Sequence, residues 1–116
     1  MAGSEKREHE RKPLRLQLNY RDASGGNFLY EHSRNISRGG IFIETDHPLP
    51  VGSTLVIRFT TPTGEELEIE GDVAWVNAVS ANDETPNPGM GVQWSDLSDE
   101  QHDTIVSVVK TIAIVD

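Results

Sequence analysis

Short runs in which apolar and polar residues alternate recur along this chain, and they predict a protein built mainly from β-strands. Residues 14–20 (LRLQLNY) alternate without a break, so the three leucines and Tyr20 share one face and the polar residues share the other. Similar runs, bounded by Gly, Pro, Asn and Asp, follow along the rest of the chain. We predict six strands, over residues 14–20, 28–32, 41–45, 54–61, 66–77 and 90–94.

The predicted strand over residues 66–77 is the longest and has the most regular pattern. Val73 and Trp75 are expected on its apolar face, opposite a stripe of three acidic residues. Gly71 also falls on the apolar face, where the missing side chain favours a β-bulge or a sharp bend. A period-2 acidic stripe is the usual solvent side of a sheet, so it does not indicate catalytic carboxylates.

A single helix is predicted at the end of the chain. Residues 98–101 (SDEQ) match a capping box and place acidic groups where the helix dipole favours them. Apolar residues then recur at helical spacing, at Ile105, Val108, Val109 and Ile112. We expect an amphipathic helix over about residues 98–114 that covers an apolar surface.

Six strands followed by one helix predict a mainly β domain, a six-stranded antiparallel β-barrel with a C-terminal α-helix. Closing the sheet, fully or nearly, removes the exposed edges that an open sheet would present. The 116 residues suffice for one such core. We expect residues 1–12 to form a flexible basic segment and residues 13–116 to form the barrel with its helix.

Charge is distributed unevenly and limits the partners of the chain. Residues 1–38 hold eight Lys and Arg against five Asp and Glu, a net charge of +3, whereas residues 39–116 hold two against fourteen, a net charge of −12. So acidic a body repels DNA, RNA and anionic membranes over most of its surface. Any anionic partner should therefore be small and should meet the N-terminal third.

Composition also indicates a compartment. The chain has no cysteine, which excludes disulfides and thiolate metal sites and favours a reducing, cytoplasmic location. No apolar stretch approaches the roughly 18 residues that a membrane span needs. The charged N-terminus lacks the apolar region of a signal peptide.

No residue pattern indicates catalysis. The four histidines, at positions 9, 32, 47 and 102, are far apart and lack the spacing of a metal site. Neither a Gly-x-Ser-x-Gly elbow nor a Gly-x-x-x-x-Gly-Lys phosphate loop is present. We therefore expect neither an enzyme, nor a metal site, nor a cofactor.

Two short motifs are the strongest candidates for a binding site. The basic run over residues 6–12 contains Arg7-x-x-x-Arg11, and the segment over residues 35–40 reads Asn-Ile-Ser-Arg-Gly-Gly. Taken separately, the first is typical of a solvated terminus and the second of an ordinary turn. Together they supply guanidinium groups, an amide, a hydroxyl and glycines, which suit a polar ligand better than they suit catalysis.

The two motifs together resemble those of the PilZ domain, the bacterial receptor module for cyclic di-GMP. The resemblance extends over nearly the whole chain, since the strand count, the segment over residues 91–94 (GVQW) and the terminal helix also agree with it. It is closest to the stand-alone or modular PilZ domains of myxobacteria-like bacteria. Asn35 stands where the family more often has aspartate, which removes a negative charge facing the guanine.

The resemblance implies that the N-terminal segment supplies cations to the ligand. Arg7 and Arg11 would contact guanine O6 and N7, or a phosphate, in bidentate fashion, and could stack on a base. Lys6 would add a phosphate contact. One cyclic di-GMP or an intercalated pair could occupy such a site.

The second motif would supply the remaining contacts that the resemblance implies. Asn35 would accept a hydrogen bond from the guanine amino group, and Ser37 would offer its hydroxyl to a phosphate or base. Gly40, together with Gly39, would let the ligand approach the backbone.

Binding would then act as a switch. The charged N-terminal segment would become ordered when the ligand joins its arginines to the Asn35 turn, and a partner protein or fused output domain controlling motility, exopolysaccharide or biofilm formation would respond. The alternative is a PilZ-like interaction module that binds protein and no nucleotide. The intact arginine pair favours the receptor, and an esterase-like or metal enzyme is remote.

Overall fold

A computed structural model describes residues 12–77 and 88–115 of the chain, with the side chains of residues 13–77 and 88–111. The described residues form seven strands and one helix. These are β1 (Lys12–Pro13), β2 (Gln17–Asp22), β3 (Leu29–Ile36), β4 (Gly40–Glu44), β5 (Thr54–Thr60), β6 (Glu66–Asn77), β7 (Gly89–Ser95) and α1 (Asp99–Val115).

The strands form a closed antiparallel barrel. The order around the barrel is β3-β2-β5-β6-β7-β4, and β4 pairs back with β3 to close it. The two-residue β1 adds to the edge of β3 that β2 also uses. The predicted six-stranded barrel with a C-terminal helix is therefore confirmed.

The first predicted strand is interrupted where it was expected to begin. Residues 14–16 are not part of a strand, and β2 starts at Gln17. The buried Ser33 hydroxyl of β3 lies across this gap, donating to the Leu14 carbonyl and accepting from the Leu16 amide. A side chain thus replaces one step of the β-ladder, and β1 and β2 run along β3 as two short pieces.

The interior of the barrel is a single apolar core. Ile105 and Val108 of α1 are buried in it, so the helix covers the apolar interior as expected. The strands contribute Leu18, Tyr20, Ile36, Ile41, Ile43, Leu55, Ile57, Phe59, Ile69, Val73, Met90 and Val92.

The capping box at the start of α1 forms as predicted. The Gln101 amide donates to Ser98 Oγ, and the Ser98 amide donates to Gln101 Oε1, each at 3.1 Å. Gln101 Nε2 also donates to the Glu68 carbonyl of β6 at 3.0 Å, which fixes the helix start against the barrel. Among the described residues, no helix is long and apolar enough to cross a membrane.

A β-bulge in β6 changes the predicted facing of Trp75. The register against β7 shifts by one residue at Ala74, so Val73 points inward and Trp75 lies outside, 38% exposed. The bulge falls here and not at Gly71, where an added Cβ would lie 2.4 Å from Val92 Cγ1. Gly71 is therefore required by core packing.

Candidate functional site

The second motif spans the end of β3, a short turn and the start of β4. The residues at positions 35 and 36 belong to β3 and Gly40 begins β4, so the turn itself is only Ser37 to Gly39. The Ser37 amide donates to the Gly40 carbonyl at 2.8 Å, and the amides of Gly39 and Gly40 donate to Ser37 Oγ, each at 3.1 Å. The 2% exposed Ser37 therefore builds the turn with its hydroxyl.

The neighbouring strand β7 holds the turn in place. Trp94 donates from its indole Nε1 to the Ser37 carbonyl at 3.3 Å, and from its amide to the Gly39 carbonyl at 3.0 Å. A Cβ added to Gly40 would lie 2.0 Å from the Val92 carbonyl oxygen of β7. Close approach of two strands is thus enough to explain the glycine at position 40.

A second β-bulge aims two consecutive residues of β3 at the same side. The register against β4 shifts between Ser33 and Asn35, which leaves Arg34 as the extra residue. Ser33 and Ile36 are both fully buried, so Arg34 and the half-buried Asn35 both fall on the outer face. Without the bulge, strict alternation would separate them.

Asn35 lies beside the beginning of the described chain. Pro13 of β1 is its Cα partner, and Lys12 is the partner of Ile36. The N-terminal residues of the first motif, Lys6, Arg7 and Arg11, lie outside the described residues. Their predicted contacts with a ligand remain predictions.

A cavity of about 480 Å³ opens next to Asn35, a size within the roughly 300–1,000 Å³ of small-molecule sites. Its lining is formed by Pro13, Arg15, Ser33, Arg34, Asn35 and Glu44. A larger cavity of about 560 Å³ lies against the outer side of β2, β5 and β6, and includes Arg58 and Tyr30. It contains no residue of either motif, so we regard the smaller cavity as the candidate site.

Two arginines of the candidate cavity share one carboxylate. Arg15 Nη1 lies 3.2 Å from Glu44 Oε1, and Arg34 Nη1 lies 3.2 Å from Glu44 Oε2. The sequence predicted none of the three as site residues. Arg15 lies on the polar face of the first predicted strand, so it could have been proposed as a ligand contact. The position of Arg34 depends on a β-bulge that no glycine, proline or other turn residue indicates in the sequence.

Histidines and acidic residues do not gather into a metal site in the described ranges. No group of three or more His, Asp or Glu side chains there could hold a metal ion. The acidic residues of β6 point outward and are exposed, which is the expected solvent side of the strand.

Comparison with known proteins agrees with the barrel fold. The sequence profile of the PilZ domain matches residues 5–110. A search of curated protein sequences found no match.

Several solved structures share the fold at low sequence identity, including those of YcgR, CeSA and MotI/DgrA. The PilZ domain of YcgR from Escherichia coli, solved with c-di-GMP, has a TM-score of 0.72 and 15% identity, over 93% of this chain and 92% of that one. The PilZ domain of CeSA from a cellulose-synthesizing bacterium has a TM-score of 0.68 and 18% identity, over 90% and 98% of the two chains.

The third is the motility inhibitor MotI/DgrA of Bacillus subtilis, with a TM-score of 0.72 and 18% identity over 88% of this chain. This chain spans only 48% of that protein, about half its length. The profile match over residues 5–110 includes the barrel, both motifs and most of the terminal helix. The chain therefore belongs to the PilZ domain family.

Proposed function

We propose that this chain is a receptor domain for cyclic di-GMP. Family membership supports a receptor or effector rather than an enzyme, and the related YcgR domain was solved with this ligand. Both motifs that the family uses are intact in the sequence. A cytoplasmic location fits the cysteine-free composition.

The pairing of β1 with β3 is the observation that carries the proposal. It puts Pro13 opposite Asn35 and Lys12 opposite Ile36. Arg11 is bonded to Lys12, and consecutive Cα atoms are about 3.8 Å apart. The segment that carries the arginine motif therefore ends, at Lys12, beside the strand that carries the second motif. The two motifs are some 25 residues apart in sequence.

The roles of the motif residues divide between contact and support. Arg7 and Arg11, with Lys6, would bind phosphates and guanine edges, and Asn35 on the outer face would accept from a guanine amino group. Ser37, Gly39 and Gly40 would act mainly by shaping the turn. Their hydrogen bonds inside the turn support this assignment.

Ligand binding would order the segment before Lys12 against the barrel, because Lys12 itself is already paired in β1. A dianionic ligand held between Arg7, Arg11 and Asn35 would join two segments and change the surface beside β1. A partner protein or fused domain could respond to that change. The similar MotI is an inhibitor of motility and the similar CeSA domain comes from a cellulose-synthesizing bacterium, which is consistent with control of motility or of exopolysaccharide.

Isothermal titration with cyclic di-GMP tests the proposal, with GTP as the control ligand. We expect micromolar or tighter binding to the unchanged chain, and a loss of about 2–5 kcal/mol on Arg7→Ala or Arg11→Ala, as for charged contacts that binding desolvates. The fitted ratio gives one or two ligands per chain. Absence of binding would overturn the receptor proposal in favour of a protein-interaction module, and unfolding of the Arg7→Ala variant would overturn the site assignment.

A further inference from the structure

Arg15, Arg34 and Glu44 form a charged cluster in the cavity beside Asn35. Each oxygen of the Glu44 carboxylate accepts from a different guanidinium, both at 3.2 Å. The three residues come from three separate places in the chain: the gap between β1 and β2, the bulge of β3 and the end of β4. The fold thus builds a small cationic site around one carboxylate.

The cluster has cationic capacity left over. Two guanidinium groups face one carboxylate, which leaves a net charge of about +1 at neutral pH. A guanidinium has five N–H donors, and the ion pair uses one nitrogen of each arginine. The two side chains remain 67% and 49% exposed, so the other donors can reach an incoming ligand.

Stability alone does not account for this arrangement. Exposed ion pairs contribute little to stability, so two of them on one carboxylate add little to folding. A carboxylate that bridges two arginines occupies them as a phosphate would, since both anions offer paired oxygens to N–H groups. The lining of the cavity beside Asn35 carries two cations and one carboxylate, whereas the body of the chain is strongly acidic and Glu31 and Asp46 line the adjoining cavity.

We propose that Arg15 and Arg34 bind a phosphate of the cyclic dinucleotide, and that Glu44 competes with this phosphate for the two guanidinium groups. The inference rests on the proposed function and adds a second pair of arginines to the one in the N-terminal segment. Glu44 keeps the arginines oriented towards the cavity in the free protein. Binding exchanges its carboxylate for the phosphate, so Glu44 lowers the affinity.

Charge-neutralising substitutions test this assignment by titration of the whole chain with cyclic di-GMP. We expect Arg15→Gln and Arg34→Gln each to weaken binding about tenfold, as for loss of one charge-assisted hydrogen bond. Glu44→Gln should tighten binding about two- to fivefold, because the ligand no longer displaces an exposed ion pair. All three side chains point outward, so thermal unfolding should show the barrel intact.

A second ion pair on the barrel supplies matched controls. Arg58 of β5 and Glu68 of β6 lie 3.3 Å apart with side chains about half exposed, and neither lines the cavity beside Asn35. Arg58→Gln and Glu68→Gln change the net charge by the same amounts and should leave the affinity within about twofold.

The outcomes separate this inference from the proposed function. If the unchanged chain binds and the Arg15 and Arg34 variants titrate like Arg58→Gln, the second arginine pair is refuted while the receptor function stands. If the unchanged chain does not bind, both fail. Combining Glu44→Gln with Arg15→Gln and Arg34→Gln should abolish the gain from Glu44→Gln, whereas a persisting gain would refute competition for the arginines.

Discussion

Residues of the second motif stabilise the barrel, whether or not they also contact a ligand. Ser37 accepts two amide hydrogen bonds inside the turn, and Gly40 lies where β4 comes closest to the Val92 carbonyl. A substitution at either position therefore changes folding as well as any binding. Of the motif residues that the structure describes, Asn35 on the outer face is the better position for probing ligand contact.

Gly40→Ala should destabilise the barrel strongly. Its Cβ would lie 2.0 Å from a backbone oxygen of β7, which cannot move without breaking the β4–β7 pairing. We expect a loss of about 1–3 kcal/mol or more in the free energy of unfolding, measured by urea denaturation. Gly91→Ala is the comparison, because the three atoms nearest its Cβ would all belong to the partly exposed Trp75 ring, which can shift, and none to backbone. Equal losses would show that backbone crowding is not the cause.

Tyr20 should make stability depend on alkaline pH. The side chain is 1% exposed, and its hydroxyl lies 3.2 Å from Thr45 Oγ1. Burial raises the pKa of Tyr20 above its ordinary 10.0; the nearby Glu31 charge raises it further, and the Thr45 hydrogen bond opposes both. Since the folded chain favours the neutral phenol, this contribution is complete below about pH 10 and is lost as the pH rises through the higher folded value.

Unfolding midpoints between pH 8 and 11 check this expectation. Tyr20→Phe should cost about 0.5–1.5 kcal/mol or more at pH 8, because the hydroxyl loses its hydrogen bonds with Thr45 Oγ1 and the His47 carbonyl, and should flatten the alkaline decline. The exposed Tyr30→Phe is the control and should follow the unchanged chain. Parallel curves for all three proteins would contradict the assignment.

Strands β3 and β6 each contain one β-bulge. Each carries a single extra residue, Arg34 or Ala74, after which the apolar residues return to the inside. The bulge in β3 puts Arg34 beside Asn35, and the bulge in β6 puts Trp75 outside over Gly91. In both strands the irregular step decides which side chains reach the outer surface.

Deleting Ala74 should leave a folded barrel. Without it, Val73, Trp75 and Val76 would alternate regularly against the same β7 partners, so we expect a loss of only about 0.5–3 kcal/mol. Deleting Glu70 from the same strand shifts a regular stretch and turns Val73 away from the core. Circular dichroism during urea unfolding should show a cooperative transition for the first variant only, and similar behaviour of both would refute the bulge assignment.

Local patterns predicted most elements, whereas the bulges depend on neighbouring strands. The helix and its cap follow from Ser98, Gln101 and the spacing of nearby apolar residues, all of which lie within a few turns. Strand β6 was predicted with its observed bounds, Glu66–Asn77. Trp75 was assigned to the wrong face because its bulge is defined only by pairing with β7.

The candidate site could be predicted in part. Both motifs were visible as residue types and spacings, and the resemblance to PilZ domains connected them. The cluster of Arg15, Arg34 and Glu44 was not predictable, because it needs the β3 bulge and the closure of β3 on β4. The pairing of Pro13 with Asn35 is likewise set by strand register across more than 20 residues.

At the scale of the whole molecule, the chain combines an acidic barrel with a basic N-terminal third. Most of the positive charge precedes residue 39, and the remainder carries a net charge of −12. The candidate cavity lies in the basic third except for Glu44 of β4. This distribution favours a small anion bound near β1 and β3 over a large polyanion.

Removing residues 1–11 should separate folding from binding. A chain that starts at Lys12 keeps every described strand, so its melting temperature should change by only a few degrees. On the proposed function, its affinity for cyclic di-GMP should fall about 100-fold or more, because both arginines of the first motif are lost. A chain that starts at Lys6 is the control and should bind normally. Unchanged binding without residues 1–11 would refute the proposed division of the domain.

Because β1 is paired with β3, the arginine motif is tethered next to the site, and its contacts with a ligand are intramolecular. Because Pro13 is paired with Asn35, the segment that precedes it is attached at the site and acts at an effective concentration that is typically millimolar for short flexible linkers. A separate peptide of residues 1–11, added to the shortened chain at micromolar concentration, should therefore fail to restore binding. The two-residue β1 would then influence affinity by holding the arginine segment beside the site.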